Sequence, residues 1–554
     1  MKRNILFVAV MLVVMVFAFA ACNNDNDTAG GTPGDLAGGA ATATGLPYDT
    51  EGEITVFMWS GSGVFLRDVG RVYIPAEEIF GQNDAAVAAT ARAFNQIFPN
   101  IQINVYSRAD GPNSNDIPWA QYRANFEMEF GHFPDIFAVY DLIGDINAGL
   151  VADLTIFEND PMFQSFNPDI MSMMNVGGRQ FALPQYMIPW GVFVNRSLAE
   201  AQNIDVPTPQ WTIEQYMRFI TNSSPNEWYG AMASPWSFVD SGTRDFLYLL
   251  ANRGPNDPFV RLNTEAMRNL VAMMPAAIPH TVWPQNGLGN IAGEFMDENW
   301  WWGFRFFQTG RLLAHEGDPW MMGDLAHPDG SDHWGGAFMA DWDIFPRPAT
   351  NYMGNHVGMV LDPFAIRNYA MDDGNPELSP EEYQRLLIAW TFLSFMIGDT
   401  RAWEARANQM FNDGDSMGFA SNDSFPLVTG QAFYDQMEFW YMSGRQRFAD
   451  ANLMPGFQYV LQLWEEGAVV AISDKTHPWH HEFEGTTRTI AFEWLHKYNP
   501  DVTGASDSEP HWVDMLFSRL PEWDVEINQR FADAWEEVHA SIARFYPVQV
   551  RGGR

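Results

Sequence analysis

One cysteine, Cys22, and three lysines, Lys2, Lys475 and Lys497, are all that this chain of 554 residues holds of those two types. A single thiol excludes an intrachain disulfide and any cysteine-based metal site. Scarce lysine leaves little support for Schiff-base chemistry or for a phosphate loop of the G-x-x-x-x-G-K-S/T type. Positive charge is short throughout: 31 Lys and Arg stand against 69 Asp and Glu, a net charge of −38. Nucleic-acid binding depends on basic side chains that displace counterions from phosphates, so that class is excluded. After the first twenty residues no apolar run approaches the ~20 residues that a membrane-spanning helix needs. No G-x-S-x-G elbow, cysteine-based triad or H-E-x-x-H metal signature occurs.

Aromatic and apolar side chains are plentiful. The chain is 47% hydrophobic and 15% aromatic, with 22 Trp and 42 Phe. That length and composition suffice for two or more packed lobes. At the amino end, Lys2 and Arg3 precede an apolar run from Ile5 to Ala20, which closes in Phe19-Ala20-Ala21-Cys22. A basic start, a short apolar segment and small residues before a cut site mark an export signal. The cysteine at the cut resembles the lipobox of bacterial lipoproteins, with Phe19 where that motif usually has Leu. The resemblance implies acylation of Cys22 after removal of residues 1–21. Stable anchoring takes two acyl signals, each buried methylene contributing about 0.8 kcal/mol. Residues 22–47, rich in Gly, Ala, Thr, Asn and Asp, read as a flexible tether.

Beyond the tether the pattern alternates. Residues 53–58 read as a buried strand ending at Trp59, and Val87, Ala91, Phe94 and Phe98 recur at helical spacing behind Asp84, the expected N-cap. Residues 101–106 alternate as a strand, 133–139 give another, and 191–194 a further one. Thr212 with Gln215, and Ser379-Pro380 with Glu382, form capping boxes. The second precedes a helix carrying Leu386, Leu387, Trp390 and Leu393. A last helix carries Ile527, Phe531, Trp535, Val538, Ile542 and Phe545, a packing stripe. Strands alternating with helices predict an α/β fold with mainly parallel sheets and helices on both faces.

Six local patterns, in order, resemble the extracellular solute-binding proteins of the maltose-binding type, the family 1 ligand receptors of ABC importers. They are the strand ending at Trp59 with Ala91-Arg92-Ala93-Phe94 and Pro99; Pro134-Asp135-Ile136-Phe137 with Gly149 to Thr155; Phe181-Ala182-Leu183-Pro184 with Val194-Asn195-Arg196; Pro209-Gln210-Trp211-Thr212; Gly310 to Ala314 leading to Gly317-Asp318-Pro319-Trp320; and Phe345-Pro346-Arg347-Pro348 with Gly354 and Gly358. Together they cover about residues 53 to 395. Extra length appears at 63–83, 108–120 and 440–520. The resemblance implies two hinged α/β lobes of the periplasmic-binding-protein type. Lobe 1 is expected to hold 48–187 plus about 350–405, and lobe 2 188–349 plus about 406–548. The crossings are expected near Met187–Pro189, near Pro346–Gly354, and past Ala405.

Ligands of open α/β sheets bind beyond the carboxyl ends of strands. That rule selects Trp59, Ser60, Tyr140, Asp141, Tyr186 and Trp190. The resemblance adds Trp320, where a sugar-stacking Trp follows the turn. Trp236 and Asn355 are further candidates. A pyranose offers a C–H face for aromatic rings and a rim of hydroxyls for acids and amides. Each residue also has a packing reading: Asp141 can cap the next helix, Tyr186 can support the hinge, and in a chain with 22 Trp many indoles are core. Of the run Trp300-Trp301-Trp302, one ring at most is expected to reach the cleft. The groups His477 to Glu484, His327 to His333, and Asn412 to Asp415 lack zinc or calcium spacing and read as polar loops.

The leading reading is a monomeric binding lipoprotein outside the cytoplasm, held to the bacterial membrane by Cys22. It delivers a sugar or oligosaccharide to ABC permease subunits, with no chemistry, cofactor, metal or nucleic acid. The alternatives are an exported glycoside hydrolase, which needs two carboxylates about 5–9.5 Å apart, and a receptor of the same fold for a polyamine or peptide.

Overall fold

The computed structural model describes residues 45–61, 65–79, 81–109, 119–224, 227–232, 258, 263–277, 280–282, 307, 310–317, 341–350, 354–371, 375, 377–412, 417–419, 424–442, 445–471 and 512–546. All belong to the unit Thr42–Arg554. The strands are β1 Gly52–Gly61, β2 Phe65–Leu66, β3 Ile101–Ala109, β4 Ile136–Ala138, β5 Asn175–Val176, β6 Arg179–Gln180, β7 Leu183–Asn195, β8 Tyr229–Met232, β9 Thr281–Val282, β10 Leu312–Gly317, β11 Trp342–Phe345, β12 Val357–Ile366, β13 Met410–Asn412, β14 Met417–Phe419 and β15 Val469–Ala471.

Eleven of them run in one path, β2-β3-β1-β4-β12-β7-β10-β8-β9, with β11 on β7 and β15 on β12. Within it are two mainly parallel groups. In the first, β1 is parallel to β3 and to β4, with Val56 opposite Ile136. In the second, β10 is parallel to β8, and β8 to β9. The two groups are joined by β7. Its residues from Leu183 to Trp190 pair antiparallel with β12, while Gly191 to Asn195 pair antiparallel with β10 and β11. A Cβ on Gly191 would lie 2.5 Å from the Phe345 carbonyl oxygen, so only glycine allows β11 this close at the changeover.

Local chemistry explains the elements. Both capping boxes are present, at Thr212 with Gln215 and at Ser379 with Glu382. The helix expected behind Asp84 begins earlier, at Gln82, with Gly81 as N-cap, and Asp84 is buried in its first turn. Asp135, just before β4, ties β1 to the segment that follows β12: its carboxylate accepts from the Thr55 amide and the Tyr369 hydroxyl, each at 2.9 Å.

Among the described residues two large apolar clusters stand out, beside a small one of Ile79 and Ala85. The larger holds the side chains of β1, β3, β4 and β12 with those of the helix Pro380–Gly398, and the smaller holds Val192, Val194, Trp211, Tyr216, Leu313 and Phe345. Residues 403–469, expected mostly with the second lobe, place Trp403, Phe425, Trp440, Phe457 and Trp464 in the larger cluster. Phe425 donates its amide to the Met187 carbonyl, which brings this segment alongside β7.

The C-terminal helix Trp512–Phe545 has 34 residues, about 51 Å at 1.5 Å per residue. Its stripe divides: Leu520, Trp523, Ile527 and Phe531 enter the smaller cluster, and Val538 and Ile542, followed by Tyr546, enter the larger. One continuous helix is therefore seated in both cores. At its end Phe545 covers Gly149, which sits at φ +72° with room for no Cβ, the nearest ring carbon being 2.9 Å away. Gly149→Ala combines a left-handed backbone with a clash, and is expected to lower stability by about 1–3 kcal/mol, read from the urea midpoint. An unchanged midpoint contradicts the seating of this helix.

Candidate ligand-binding site

The register of β7 on β12 builds the site. Tyr186 stands opposite Asp362, Met187 opposite Leu361, Ile188 opposite Val360, Pro189 opposite Met359 and Trp190 opposite Gly358. Successive residues of a strand face opposite ways. Met187, Leu361 and Met359 share one face and are buried in the larger cluster. On the other face Asp362 and Trp190 are half-buried. Between Asp362 and Pro363 the register slips, with Pro184 paired to Pro363, so Gln185 is the extra residue of a bulge. Bulges re-aim strands beside functional sites.

The carboxyl ends of the parallel strands converge on this ribbon from both sides. On the first, β1 ends at Trp59-Ser60-Gly61, and β4 runs into Val139, whose amide donates to the Pro363 carbonyl at 2.9 Å. Tyr140 follows, 46% exposed. On the second, Gly317 at the end of β10 pairs with Gly191, and Phe345 at the end of β11 pairs with Val192. The carboxyl ends of both groups thus lie about the segment of β7 from Tyr186 to Val192.

Each expected residue has a definite place. Trp59 and Ser60 are among the last residues of β1, with only their backbone described. Asp141 caps the helix Leu142–Asn147, its Oδ1 accepting from the Gly144 amide at 2.9 Å, and it remains exposed at the carboxyl end of β4. Tyr186 and Trp190 are both on the ribbon. The Trp190 indole N–H is buried and has no hydrogen-bond partner. Asn355 uses its amide N–H groups on the carbonyls of Trp211 (2.8 Å) and Arg347 (3.1 Å), and so fastens the return from β11 to β12. Trp236, Trp320, Cys22, the run Trp300–Trp302, and the groups around His327, Asp413 and His477 lie outside the described residues.

Several residues beside the site were not singled out from sequence. Asp362 is the one acid in the otherwise uncharged strand Val357–Ile366, and that isolation is the signal that marks it. Arg347, 2% exposed, pairs with Glu316 at 3.1 Å, and Tyr216 donates to the same carboxylate at 3.3 Å. Burial and Glu316 together push the Tyr216 hydroxyl well above its ordinary pKa. Trp211 donates its indole N–H to the Pro346 carbonyl at 2.9 Å. These contacts hold the segment between β11 and β12, where Arg347 and His356 form a bridge.

Two further buried groups have opposite acid–base leanings. His315, on β10, lies beside the rings of Phe193 and Phe307, each 6.2 Å away and themselves 5.9 Å apart, and neither of its nitrogens has a hydrogen-bond partner. Burial lowers its pKa to about 4. Asp343, on β11, accepts from the amides of Gly456 (2.8 Å) and Phe457 (3.2 Å) at the start of the helix Pro455–Glu465, and from Arg196 at 3.2 Å. Burial still raises its carboxyl to about 6 against these partners.

The signs follow from linkage. A histidine with a lowered folded-state pKa leaves stability intact above about pH 6.5 and withdraws it as pH falls towards 4. Asp343, with a raised pKa, shifts stability the other way, contributing more as pH falls through about 6. His315→Leu removes only the first effect. Its thermal midpoint is expected to fall less than that of the wild type between pH 7 and pH 4.5, a gap worth up to about 3 kcal/mol. Parallel pH profiles contradict a neutral buried imidazole.

No family profile matches the chain, and no curated protein matches it in sequence. Solved structures match it in fold. The GacH receptor of Streptomyces glaucescens, studied unliganded and with acarbose, is 13% identical over 88% of this chain and 100% of its own, with a TM-score of 0.51. The cyclic alpha-maltosyl-1,6-maltose binding protein from Arthrobacter globiformis is 16% identical over 87% of this chain and 100% of its own, TM-score 0.51. An ABC substrate-binding protein from Listeria monocytogenes in complex with cycloalternan is 13% identical over 85% of this chain and 99% of its own, TM-score 0.50. The fold is therefore the two-lobed α/β fold of such binding proteins.

Proposed function

We propose that this chain is the ligand-binding component of an ABC importer, which captures a sugar or oligosaccharide between its lobes and passes it unchanged to permease subunits. One observation carries the reading: the carboxyl ends of two parallel strand groups converge on a single β7–β12 ribbon that bears a half-buried Trp and a half-buried Asp. Such a crevice suits a molecule with an apolar face and a polar rim. The fold neighbours support it, since their names record binding of cyclic maltosyl-maltose, acarbose and cycloalternan.

In this reading Trp59, Ser60, Tyr140 and Asp141 form the rim on lobe 1, Tyr186 and Trp190 the floor, Trp236 and Trp320 the side of lobe 2, and Asn355 lies near the second crossing. The ligand closes the lobes because it binds the closed state better than the open one, and the size of that difference sets the shift. No step of chemistry is assigned to the site. Cys22 carries the lipid that holds the mature chain at the outer face of the cell membrane, and the tether to residue 47 gives the body reach.

Calorimetry against a panel of gluco-, galacto-, manno- and xylo-oligosaccharides with their monosaccharides is expected to find a ligand recovered intact. Turnover of any of them contradicts the reading in favour of the hydrolase. Trp190→Ala is expected to weaken that ligand about 30-fold or more, the ~2 kcal/mol lost on truncating a buried Trp anchor, with its thermal midpoint checked in parallel. Unchanged affinity moves the floor elsewhere. Cys22→Ser is expected to leave the membrane fraction, and its retention there contradicts acylation.

A further inference from the structure

The C-terminal helix Trp512–Phe545 takes no part in the pairing of β7 with β12, yet both strand groups hold it. Pro521 sits in its first part. Around and after that proline, Leu520, Trp523, Ile527 and Phe531 enter the cluster of Val192, Val194, Leu313 and Phe345, on the second group. Polar contacts fix this seat. Asp524 accepts from the Asn263 amide at 3.0 Å. Arg268 donates to the Phe517 carbonyl at 3.4 Å, and its guanidinium lies 4.9 Å from the centre of the Phe517 ring. Arg268 belongs to the helix Glu265–Ala277, whose Met267 and Ala277 are in the same cluster.

The other seat is on the first group. A Cβ on Gly177 would lie 2.8 Å from Ile542 Cδ1, Phe545 covers Gly149, and Tyr546 meets Phe181 edge-on with ring centres 4.9 Å apart. This seat is at the amino end of β4. Just past Gly149, the Asn368 amide donates to the Leu150 carbonyl and the Ala152 amide to the Ile366 carbonyl, and Ile366 pairs with Ile136, the first residue of β4. Ligands bind beyond the carboxyl ends of such strands, so the seat and the crevice are at opposite ends of β4.

From Ile527 to Ile542 the helix rises about 22 Å at ~1.5 Å per residue, and no proline or glycine interrupts that stretch. While its backbone bonds are intact the spacing of the two seats is set. A change in the angle between the lobes then has to bend the helix or draw one set of side chains out of its cluster, and packed side chains do not slide continuously. We infer that this helix is a strap that restricts the angle between the lobes of the unliganded chain, with its seat on Gly149, Gly177 and Phe181 as the grip. The inference rests on the two-lobed fold and holds whichever ligand the crevice takes. The fraction of chains in the binding-competent arrangement sets the apparent affinity, so residues remote from the crevice act on ligand capture through the strap.

Cys22 is the only cysteine, so two spin labels can be placed selectively in the Cys22→Ser chain. Gln96→Cys labels the end of the helix packed on β1 and β3, and Glu200→Cys the helix that follows β7; both positions are exposed. Pulsed dipolar spectroscopy on the purified, unliganded chain reads the distribution of distances between the labels. Ile542→Ala is expected to broaden that distribution, and the milder Ile542→Val to broaden it less. Ile388→Ala is the control, the same truncation in the same cluster but on the helix Pro380–Gly398. It is expected to lower the thermal midpoint and keep the wild-type width. A cooperative thermal transition in each variant shows that the fold is retained. Wild-type width in Ile542→Ala, or equal broadening in Ile388→Ala, overturns the strap. Neither result bears on the sugar reading, which calorimetry tests separately.

Discussion

The antiparallel pairing of β7 with β12 is the constraint on which the rest depends. From Leu183 to Trp190 every register partner lies between Phe364 and Gly358, and the backbone groups of such a ladder cannot be left unpaired in a buried interior. Because β7 continues past Gly191 into pairing with β10 and β11, one uninterrupted strand belongs to both strand groups. It sets the distance between them, the height at which their carboxyl ends arrive, and which side chains face the crevice. A slip of one residue would exchange Trp190 and Asp362 for Pro189 and Leu361.

Buried polar contacts hold the neighbouring segments to this ribbon. Ser424 accepts from the Met187 amide and donates to the Gln185 carbonyl. Arg347 with Glu316, and Asn355 with the Trp211 and Arg347 carbonyls, hold the return from β11 to β12. The buried ion pair is better understood as fixing geometry than as a source of stability, because desolvation offsets most of its attraction. The helix Trp512–Phe545, with Pro521 inside it, adds a contact of a different kind, because its side chains are buried in both apolar clusters.

Much of this was legible in sequence, and the reasons are physical. Period-two and helical apolar patterns report burial on one face, so β1, β3, the capped helices at Thr212 and Ser379, and the stripe of the last helix were readable locally. The stripe could not reveal that its two halves enter different cores, since both are equally apolar. The start of the first long helix was misjudged because Asp84, an apt N-cap by chemistry, lies within the first turn behind Gly81. Trp190 and Tyr186 were reachable from the strand-end rule, whereas Asp362 was not: its position depends on a pairing partner 176 residues away, and only the register places it opposite Tyr186. Asn355 shows the same limit from the other side: its hydrogen bond to the Trp211 carbonyl is a tertiary fact that composition does not carry, whereas the cap that Asp141 places on Gly144 is local and was readable in sequence.

The central claim is that a sugar bound on the β7–β12 ribbon draws the two lobes together. Its most direct measurement is small-angle scattering of the purified chain with and without a saturating oligosaccharide identified by calorimetry. The account predicts a smaller radius of gyration with the ligand and the same change reversed on its removal. An identical scattering profile in both states, with the ligand demonstrably bound, contradicts it.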